Sequence, residues 1–345
     1  MIEIDGSGGG GQVLRTAIGL SALAQEPVEV FNIRTNQPIS KQGLRSQHLM
    51  GVKIVKEFCD ANVSNLEQGS LEIKFIPKKL EVVSGEINIG TAGSVTLLLQ
   101  TLLPLLIFAK EPVNLDIIGG TEVKWSPTVQ FYKNVTFPLL NKLGAKLELE
   151  VEKHGFYPKG GGRVRVKSKP AIKLRGWGCQ NRGEIKSLYV DSVCGDLPKN
   201  IAKRQGEAAL RYFQYHYPDT KTSMSYKRVN TLSKGSSCTC YAVCENSVLG
   251  SSRLGERGLK AEIVGQEAAE ELVESLERGA CLDKYMADQI LPFLALADGK
   301  SSILVEGATE HVVTNVKVIE RMLPVKFRVE GNTISVNGIG WKRKD

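Results

Sequence analysis

The sequence predicts an α+β protein, in which a body of three repeated units is interrupted by a small inserted α/β domain. Three observations support this fold class. One order of helices and strands recurs along the chain, its third copy is displaced, and the extra segment has a helix and strand order of its own. At 345 residues the chain also exceeds what a single hydrophobic core usually organises.

The first predicted unit begins with a strand-like segment at 2–4. The glycine run Gly8 to Gly11 then precedes an apolar helix at 12–24, an alternating strand at 28–33 and an amphipathic helix at 43–59. Two further strands are predicted near Asn62 and at 71–75. Because both helices and the sheet must bury one apolar face, we expect two helices on a four-stranded sheet in each copy.

The second copy begins at Gly90 to Gly93, and Gly93 follows Gly11 by 82 residues. Its helices are predicted at 94–109 and 127–143, and its strands at 113–118, 146–151 and 163–166. The third copy has predicted helices at 283–297 and 311–322, with strands at 302–306, 325–329 and 333–336.

An insertion separates the second copy from the third. The starts of their second helices, Ser126 and His311, lie 185 residues apart, about 102 more than the 83 between Gly43 and Ser126. Residues 181–280 account for the difference, with a predicted order of strand, helix, strand, strand, helix. In that order, strands are placed at 187–193 and 223–229 and helices at 199–215 and 265–278. We therefore predict a main body at 1–180 and 281–345 and an inserted domain at 181–280.

The composition excludes several classes of protein. The longest apolar runs, such as 95–109, are interrupted by polar residues and Pro104 and fall short of a bilayer span. No secretory signal precedes Ile2, so we expect no membrane association and a cytoplasmic location. The odd count of seven cysteines does not fit a disulfide scaffold. The net charge of +8 fits a polyanionic partner, and no pattern indicates an oligomeric state.

Two clusters near the N-terminus are suited to phosphate groups. The run Gly8 to Gly11 offers free amides at a helix N-terminus, and Arg15 lies one turn into that helix. A second cluster comprises Arg34, Lys41, Arg45, Gln47 and His48, around the start of the next helix. From the residues alone, a flexible turn and a solvated helix start remain alternatives for these two clusters.

Two segments near the C-terminus are candidates for chemistry on a nucleotide. His311 opens a helix, where a neutral imidazole is favoured and can act as a nucleophile or base. Tyr285, Asp288 and Gln289 share one helical turn and can stack on and hydrogen-bond a purine. The alternatives are a capping or core histidine and an aspartate that serves only as a helix cap.

Taken in order, six segments resemble the RNA 3′-terminal phosphate cyclase family over essentially the whole chain. The segments are residues 4–15, 43–49, 92–100, 154–162, 287–289 and 311–315. The resemblance implies a body of three repeated units and makes the inserted domain thioredoxin-like. It also implies an enzyme that uses ATP as cosubstrate with divalent Mg or Mn, and acts on RNA with a 3′-phosphate end.

In the implied reaction, ATP adenylylates a histidine, AMP passes to the RNA 3′-phosphate, and the vicinal 2′-OH closes a 2′,3′-cyclic phosphodiester. His311 matches the nucleophile. Six residues match the nucleotide pocket, with Pro127 and Tyr285 expected on the adenine faces: Gln100, Pro127, Phe131, Tyr285, Asp288 and Gln289. Five match the group that handles phosphates: Arg15, Arg34, Arg45, Gln47 and His48.

The chain departs from the family pattern in two places. The family's glycine-rich loop usually carries a glutamate that helps to hold the metal, whereas the loop here is about two residues shorter and has none, so the metal ligand is unknown. A basic residue expected after Arg34 is Gln37, for which Lys41 is a substitute. The alternatives are a weak or silent cyclase-like RNA-binding assembly factor and an enolpyruvyl transferase built on the same unit.

Overall fold

The computed structural model describes residues 1–343 and confirms an α+β protein with four mixed four-stranded sheets in that part of the chain. The first sheet and its helices comprise β1 (Ile2–Asp5), α1 (Gly11–Ala24), β2 (Val28–Phe31), α2 (Ser46–Cys59), β3 (Asn62–Ser64) and β4 (Ile73–Ile76). The strand order is β1-β2-β4-β3, with β1 parallel to β2 and the other pairs antiparallel. The second helix starts three residues later than predicted, because Arg45 has an extended backbone.

The second sheet has the same arrangement. Its elements are β5 (Gly85–Asn88), α3 (Val95–Ile107), β6 (Val113–Gly119), α4 (Val129–Phe131), α5 (Phe137–Lys142), β7 (Leu147–Lys153) and β8 (Gly162–Ser168). The order is β5-β6-β8-β7, again with one parallel pair at β5 and β6. A π-helical turn, Tyr132–Thr136, joins α4 to α5 within the helix predicted at 127–143.

After the short strand β9 (Gly178–Cys179), the chain forms a separate sheet with two long helices. Its elements are β10 (Ile185–Gly195), α6 (Lys199–His216), β11 (Lys221–Val229), β12 (Gly235–Cys244), β13 (Val248–Leu254) and α7 (Ala261–Glu277). The order is β11-β10-β12-β13, with β10 parallel to β11 and the other pairs antiparallel. The sequence predicted one strand fewer in this segment.

The chain then returns to the sheet of β9. The elements are α8 (Lys284–Gln289), α9 (Leu291–Leu296), β14 (Asp298–Leu304), α10 (Glu310–Met322), β15 (Phe327–Glu330) and β16 (Thr333–Ile339). The order β9-β14-β16-β15 repeats the pairing directions of the first two sheets. The single helix predicted at 283–297 is divided at Ile290, because Pro292 cannot donate a backbone hydrogen bond to the preceding turn.

Two clusters of buried apolar side chains form the core. One lies within the three similar sheets, and the other lies between the sheet of β10 to β13 and its helices α6 and α7. In the larger cluster α1 packs against both α3 and α10. Helix α3 is apolar on nearly all sides and is buried on nearly all sides, as expected for a central helix. This packing brings the N-terminal ends of α1 and α10 close together.

The described residues contain no helix long and apolar enough to cross a membrane. All seven cysteines lie in that part of the chain, and each is a buried free thiol. Residues 1–343 also contain no group of three or more His, Cys, Asp or Glu side chains placed to hold a metal ion.

Candidate active site

The glycine-rich loop before α1 lies between the two ends of the candidate site. On one side, Gly8 and Gly9 approach the side chain of Thr314 in α10. On the other, a Cβ atom on Gly11 would overlap Nε2 of His48 and lie 2.9 Å from Nη1 of Arg15. A side chain at position 11 would therefore displace both groups, which explains why glycine is needed there.

His48 is held as a neutral hydrogen-bond donor. The backbone N–H of Arg45 donates to its Nδ1 at 3.1 Å, so the ring proton is carried by Nε2, which faces Gly11. Burial, and then the positive charges of Arg15, Arg34 and Arg45, lower the pKa of His48 to about 3. At neutral pH the imidazole therefore presents an uncharged N–H to the loop.

Arg15 connects the two parts of the site. Its Nε donates to Oε1 of Gln100 at 2.7 Å, and it lines a small cavity with Gln47 and His48. Burial lowers the pKa of Arg15 to about 10, so the guanidinium stays charged at neutral pH. A partly buried cation without a bidentate carboxylate partner is suited to an anionic ligand.

Arg34 and Arg45 extend this positive region. Arg34 has a left-handed backbone (φ 58°), and among the described residues its buried Nε has no hydrogen-bond partner. Burial, and then the charge of Arg45, lower the pKa of Arg34. Arg45 donates from Nη1 to the carbonyl oxygen of Ser40 at 2.8 Å, whereas Lys41 lies in an exposed turn nearby. The mutual repulsion of the two guanidinium groups is relieved when an anion binds between them.

A chain of hydrogen bonds orients His311. The side chain of Gln12, the second residue of α1, donates from Nε2 to Oδ2 of Asp288 and accepts at Oε1 from Nδ1 of His311 at 3.0 Å. The bond to Asp288 fixes the direction of the amide, which therefore requires the proton of His311 to be on Nδ1. In a neutral imidazole the lone pair is then on the other ring nitrogen, Nε2, and the His311 side chain is exposed.

The helices that carry this chain are fixed to each other. The Thr309 hydroxyl caps α10 by accepting from the N–H of Val312 at 3.3 Å. Within α10, Asn315 donates to the carbonyl oxygen of Asp288 at 2.8 Å and accepts from the hydroxyl of Thr16 in α1 at 2.8 Å. Burial raises the pKa of Asp288 to about 7, although the charge of Arg15 opposes that rise.

Aromatic and amide groups lie next to this chain. The rings of Phe131 and Tyr285 meet edge to face, with centroids 6.3 Å apart. The hydroxyl of Tyr132 donates to Oε1 of Gln289 at 3.2 Å, and Gln289 donates to the carbonyl oxygen of Tyr285 at 2.8 Å. A cavity of about 30 Å³ opens between these helices, lined among others by Gln12, Arg15, Gln100, Tyr132, Gln289 and Asn315.

Helix α7, which packs on the sheet of β10 to β13, contributes to the same region. The hydroxyl of Tyr285 donates to Oε1 of Glu271 in α7 at 2.8 Å, and Lys284 pairs with the same carboxylate. The position of Tyr285 therefore depends on a residue of the predicted insertion.

Pro127, the other residue expected on an adenine face, is partly buried, and its carbonyl oxygen accepts from the Thr96 hydroxyl at 2.8 Å.

A family model described as RNA 3′-terminal phosphate cyclase matches residues 7–329. The chain belongs to this family. It is 46% identical over 338 residues to an RNA 3′-terminal phosphate cyclase of Methanopyrus kandleri, with 96% of each chain covered. It is 41% identical to the protein of that name from Ignicoccus hospitalis, with 99% of this chain and 100% of the relative covered.

A third cyclase relative, from Methanosarcina barkeri, is 43% identical and covers 96% of this chain and 97% of its own length. These relatives confirm the predicted family and the prediction that the chain is an enzyme. Among solved structures, an EPSP synthase from Acinetobacter baumannii aligns with 98% of this chain and 65% of its own, at a TM-score of 0.31 and 13% identity. That similarity is too low to support any statement about this chain.

Within this cyclase-family chain, the structure brings most of the predicted site residues to one region. Arg15, Gln47 and His48 share one cavity, and Arg15, Gln100 and Gln289 share the other. The sequence analysis did not select four residues that complete the contacts of the site: Gln12, Tyr132, Glu271 and Asn315. Gln12 and Asn315 had a local signal, because both lie in segments that carry the family resemblance, at 4–15 and 311–315.

Proposed function

We propose that this enzyme converts an RNA 3′-terminal phosphate to a 2′,3′-cyclic phosphodiester, with ATP as cosubstrate and a covalent His311–AMP intermediate. The observation that carries the proposal is the bond from Nδ1 of the exposed His311 to Gln12 Oε1, which places the lone pair of a neutral imidazole on Nε2. A neutral imidazole held in this tautomer is the form that attacks phosphorus.

The proposed reaction has three displacements. His311 Nε2 bonds to the α-phosphorus of ATP, and pyrophosphate leaves with the electrons of the broken P–O bond. An oxygen of the RNA 3′-phosphate then attacks the same phosphorus, and the N–P bond returns its electrons to Nε2. Finally the 2′-oxygen attacks the 3′-phosphorus, AMP leaves, and the 2′ proton passes to solvent. The net products are the cyclic phosphodiester, AMP and pyrophosphate.

The positive charges around the glycine-rich loop support the binding of phosphate groups there. We propose that Arg15, Arg34, Arg45, Gln47 and His48 bind the phosphates of ATP and of the RNA end. Burial, and then the charge of Arg45, lower the pKa of Arg34, and an anion between the two guanidinium groups offsets their repulsion. For the nucleotide we propose a pocket formed by Gln100, Pro127, Phe131, Tyr285, Asp288 and Gln289, in which Asp288 also fixes the Gln12 amide.

We further propose that the three sheets of equal strand order are repeats of one unit, and that residues 181–280 are an inserted thioredoxin-like domain. The separate apolar core of β10 to β13 with α6 and α7 supports the insertion. Its strand order β11-β10-β12-β13, in which the first strand of the segment lies inside the sheet and not at its edge, differs from that of the three similar sheets and supports the fold type. Its contribution to the site is Glu271, which holds the Tyr285 hydroxyl.

The residues present do not fit a metal held by the protein alone. The glycine-rich loop has no carboxylate, and in residues 1–343 no cluster of three ligating side chains is formed. Of the carboxylates beside the site, Asp288 is engaged by Gln12, and Asp5 accepts from the backbone N–H of Ser7 at 2.9 Å. Mg or Mn is therefore proposed only as a companion of the ATP phosphates, and no step above depends on it.

The test is covalent labelling. With α-labelled ATP and a divalent metal, the native chain should acquire an acid-labile, base-stable label, and His311→Ala should acquire none while binding ATP within roughly tenfold of native, about 1.4 kcal/mol. Tyr285→Ala should show the reverse: weaker ATP binding but normal labelling at saturating ATP. A native chain that binds RNA but never acquires label would instead favour the silent assembly factor, the alternative suggested by the glutamate-free loop.

A further inference from the structure

Two large aromatic side chains lie in open solvent beside the site. Trp125 is 93% exposed and Tyr157 is 73% exposed, although rings of this size are normally at least half-buried. Trp125 also has a left-handed backbone (φ 60°), which non-glycine residues rarely adopt. The fold therefore holds an indole away from the protein surface in an unfavourable local conformation.

The loops that carry these rings are fixed to each other at their bases. Residues 121–128 and 154–162 are joined by a β-bridge between Glu122 and Phe156, and the N–H of Thr121 donates to the carbonyl oxygen of Gly155 at 2.8 Å. Beneath them, Glu122 and His154 form a buried pair with Oε1 and Nδ1 2.9 Å apart. The exposed rings are thus presented by an ordered support.

The same loops are continuous with the phosphate-binding part of the site. A Cβ atom on Gly160 would lie 2.8 Å from Cα of Ala92, so the loop at 154–162 packs directly on the loop at 90–93. From that loop, a Cβ atom on Gly93 would lie 3.9 Å from Cβ of Gln47. One short loop therefore separates the aromatic rings from the residues proposed to bind phosphates.

The exposed charges on these two loops are positive. Residues 121–128 and 154–162 contain four ionisable side chains besides Tyr157, and Glu122 and His154 are buried. The exposed ones are Lys124, which pairs with Glu256 at 2.8 Å, and Lys159. Exposed rings with adjacent cations are the combination that binds single-stranded nucleic acid, because bases stack on the rings and phosphates approach the cations.

We propose that Trp125, Tyr157, Lys124 and Lys159 form an aromatic platform that binds the single-stranded RNA segment upstream of the 3′-terminal phosphate. This inference rests on the proposed function, because it assumes that the RNA end occupies the site beside Gln47. Stacking does not distinguish bases, so the platform adds affinity for any RNA long enough to reach the rings, without sequence preference.

The experiment compares the affinities of two ligands, a short RNA and a nucleoside 3′-phosphate, in the absence of ATP. Trp125→Ala and Tyr157→Ala should each weaken the binding of a 3′-phosphorylated RNA of about ten nucleotides by about tenfold. Neither should change the binding of a nucleoside 3′-phosphate. The matched control is Tyr215→Ala, which removes an 83% exposed tyrosine from α6 of the predicted insertion and should change neither affinity. Lys159→Gln should reduce the salt dependence of RNA binding.

Three results would overturn the platform: unchanged affinity for the longer RNA, equal losses for both ligands, or a change in oligomeric state with RNA affinity intact. The last would assign these rings to contact between copies of the chain. Covalent labelling by ATP is measured separately and should be normal in both variants. Loss of labelling in the native chain would refute the proposed function, whereas a failure of length-dependent RNA binding would refute only the platform.

Discussion

Replacing Gln12 by methionine should slow the adenylylation of His311 without preventing ATP binding. Methionine keeps the length of the buried Gln12 side chain but removes both hydrogen-bonding atoms. Without the acceptor at Oε1, nothing in the site requires the His311 proton to be on Nδ1. The ring then rotates and populates the tautomer whose Nε2 carries the proton and cannot attack phosphorus.

The size of the effect follows from the exposure of His311. Because this side chain is exposed, water replaces the lost partner of Nδ1, and the cost is the net value of one hydrogen bond, about 0.5–1.5 kcal/mol. Applied to the transition state, this corresponds to a rate about 2- to 13-fold lower. The partly buried carboxylate of Asp288 also loses its donor, so unfolding should become easier by about 1 kcal/mol.

The assay is single-turnover labelling with α-labelled ATP at saturation, together with urea denaturation. Thr16→Val is the matched control, since it removes a hydrogen bond between the same two helices, α1 and α10, that does not involve His311. It should lower stability by about 1 kcal/mol and leave the labelling rate near native. If Gln12→Met labels as fast as Thr16→Val, the tautomer argument is wrong.

Three further predictions concern the site and its support. Burial raises the pKa of Asp288 from 3.8 to about 7, so the folded state keeps a proton that the unfolded chain loses, and stability should fall as pH rises from about 4 to 7. Asp288→Asn should reduce that slope in urea melts at several pH values, while Asp283, whose pKa burial also raises to about 7, keeps its own part of it. An unchanged slope would contradict the raised pKa of Asp288. Gly11→Ala should abolish labelling by displacing His48 while the chain stays folded, and full activity would show that the loop adapts. Excision of residues 181–280 with a short linker should leave a cooperatively melting body whose ATP affinity is lower because Glu271 is lost, and aggregation would show a shared core.

The periodic patterns of the sequence were sufficient for the main elements. The helix predicted at 12–24 is α1, and the one predicted at 311–322 is α10, which begins one residue earlier at Glu310. The assignment of α1 rests on a local signal, the glycine run before the helix. The strands β5 and β9 were not predicted, because Gly85–Asn88 has a single apolar side chain and Gly178–Cys179 has only two residues, which is too little alternation to distinguish them from loops.

The candidate site also contains residues that the sequence indicates and residues that only the structure reveals. Arg15, the Arg45 to His48 segment and His311 are recognisable from the sequence because each lies at a helix start with polar or glycine neighbours. Glu271 carries no such signal, since it lies among other acidic residues of α7 and meets Tyr285 only in the folded chain. The break at Ile290 was also not predicted, although Pro292 follows it. A proline at that position fits two structures equally well, the first turn of a new helix and a kink within one continuous helix.

The sequence by itself determined the α+β class, the order of the helices and the residue types available for phosphate and nucleotide chemistry. The tertiary structure alone decided which of those residues touch. Gln12 meets Asp288 across 276 residues of chain and His311 across 299. No local pattern records such a pairing, because the partners are brought together by the packing of α1 against α10. Packing of the same kind, of α2 against α1 and α3 and of α8 against α10, sets the burial that lowers the pKa of His48 and raises that of Asp288, and burial is a property of the assembled core.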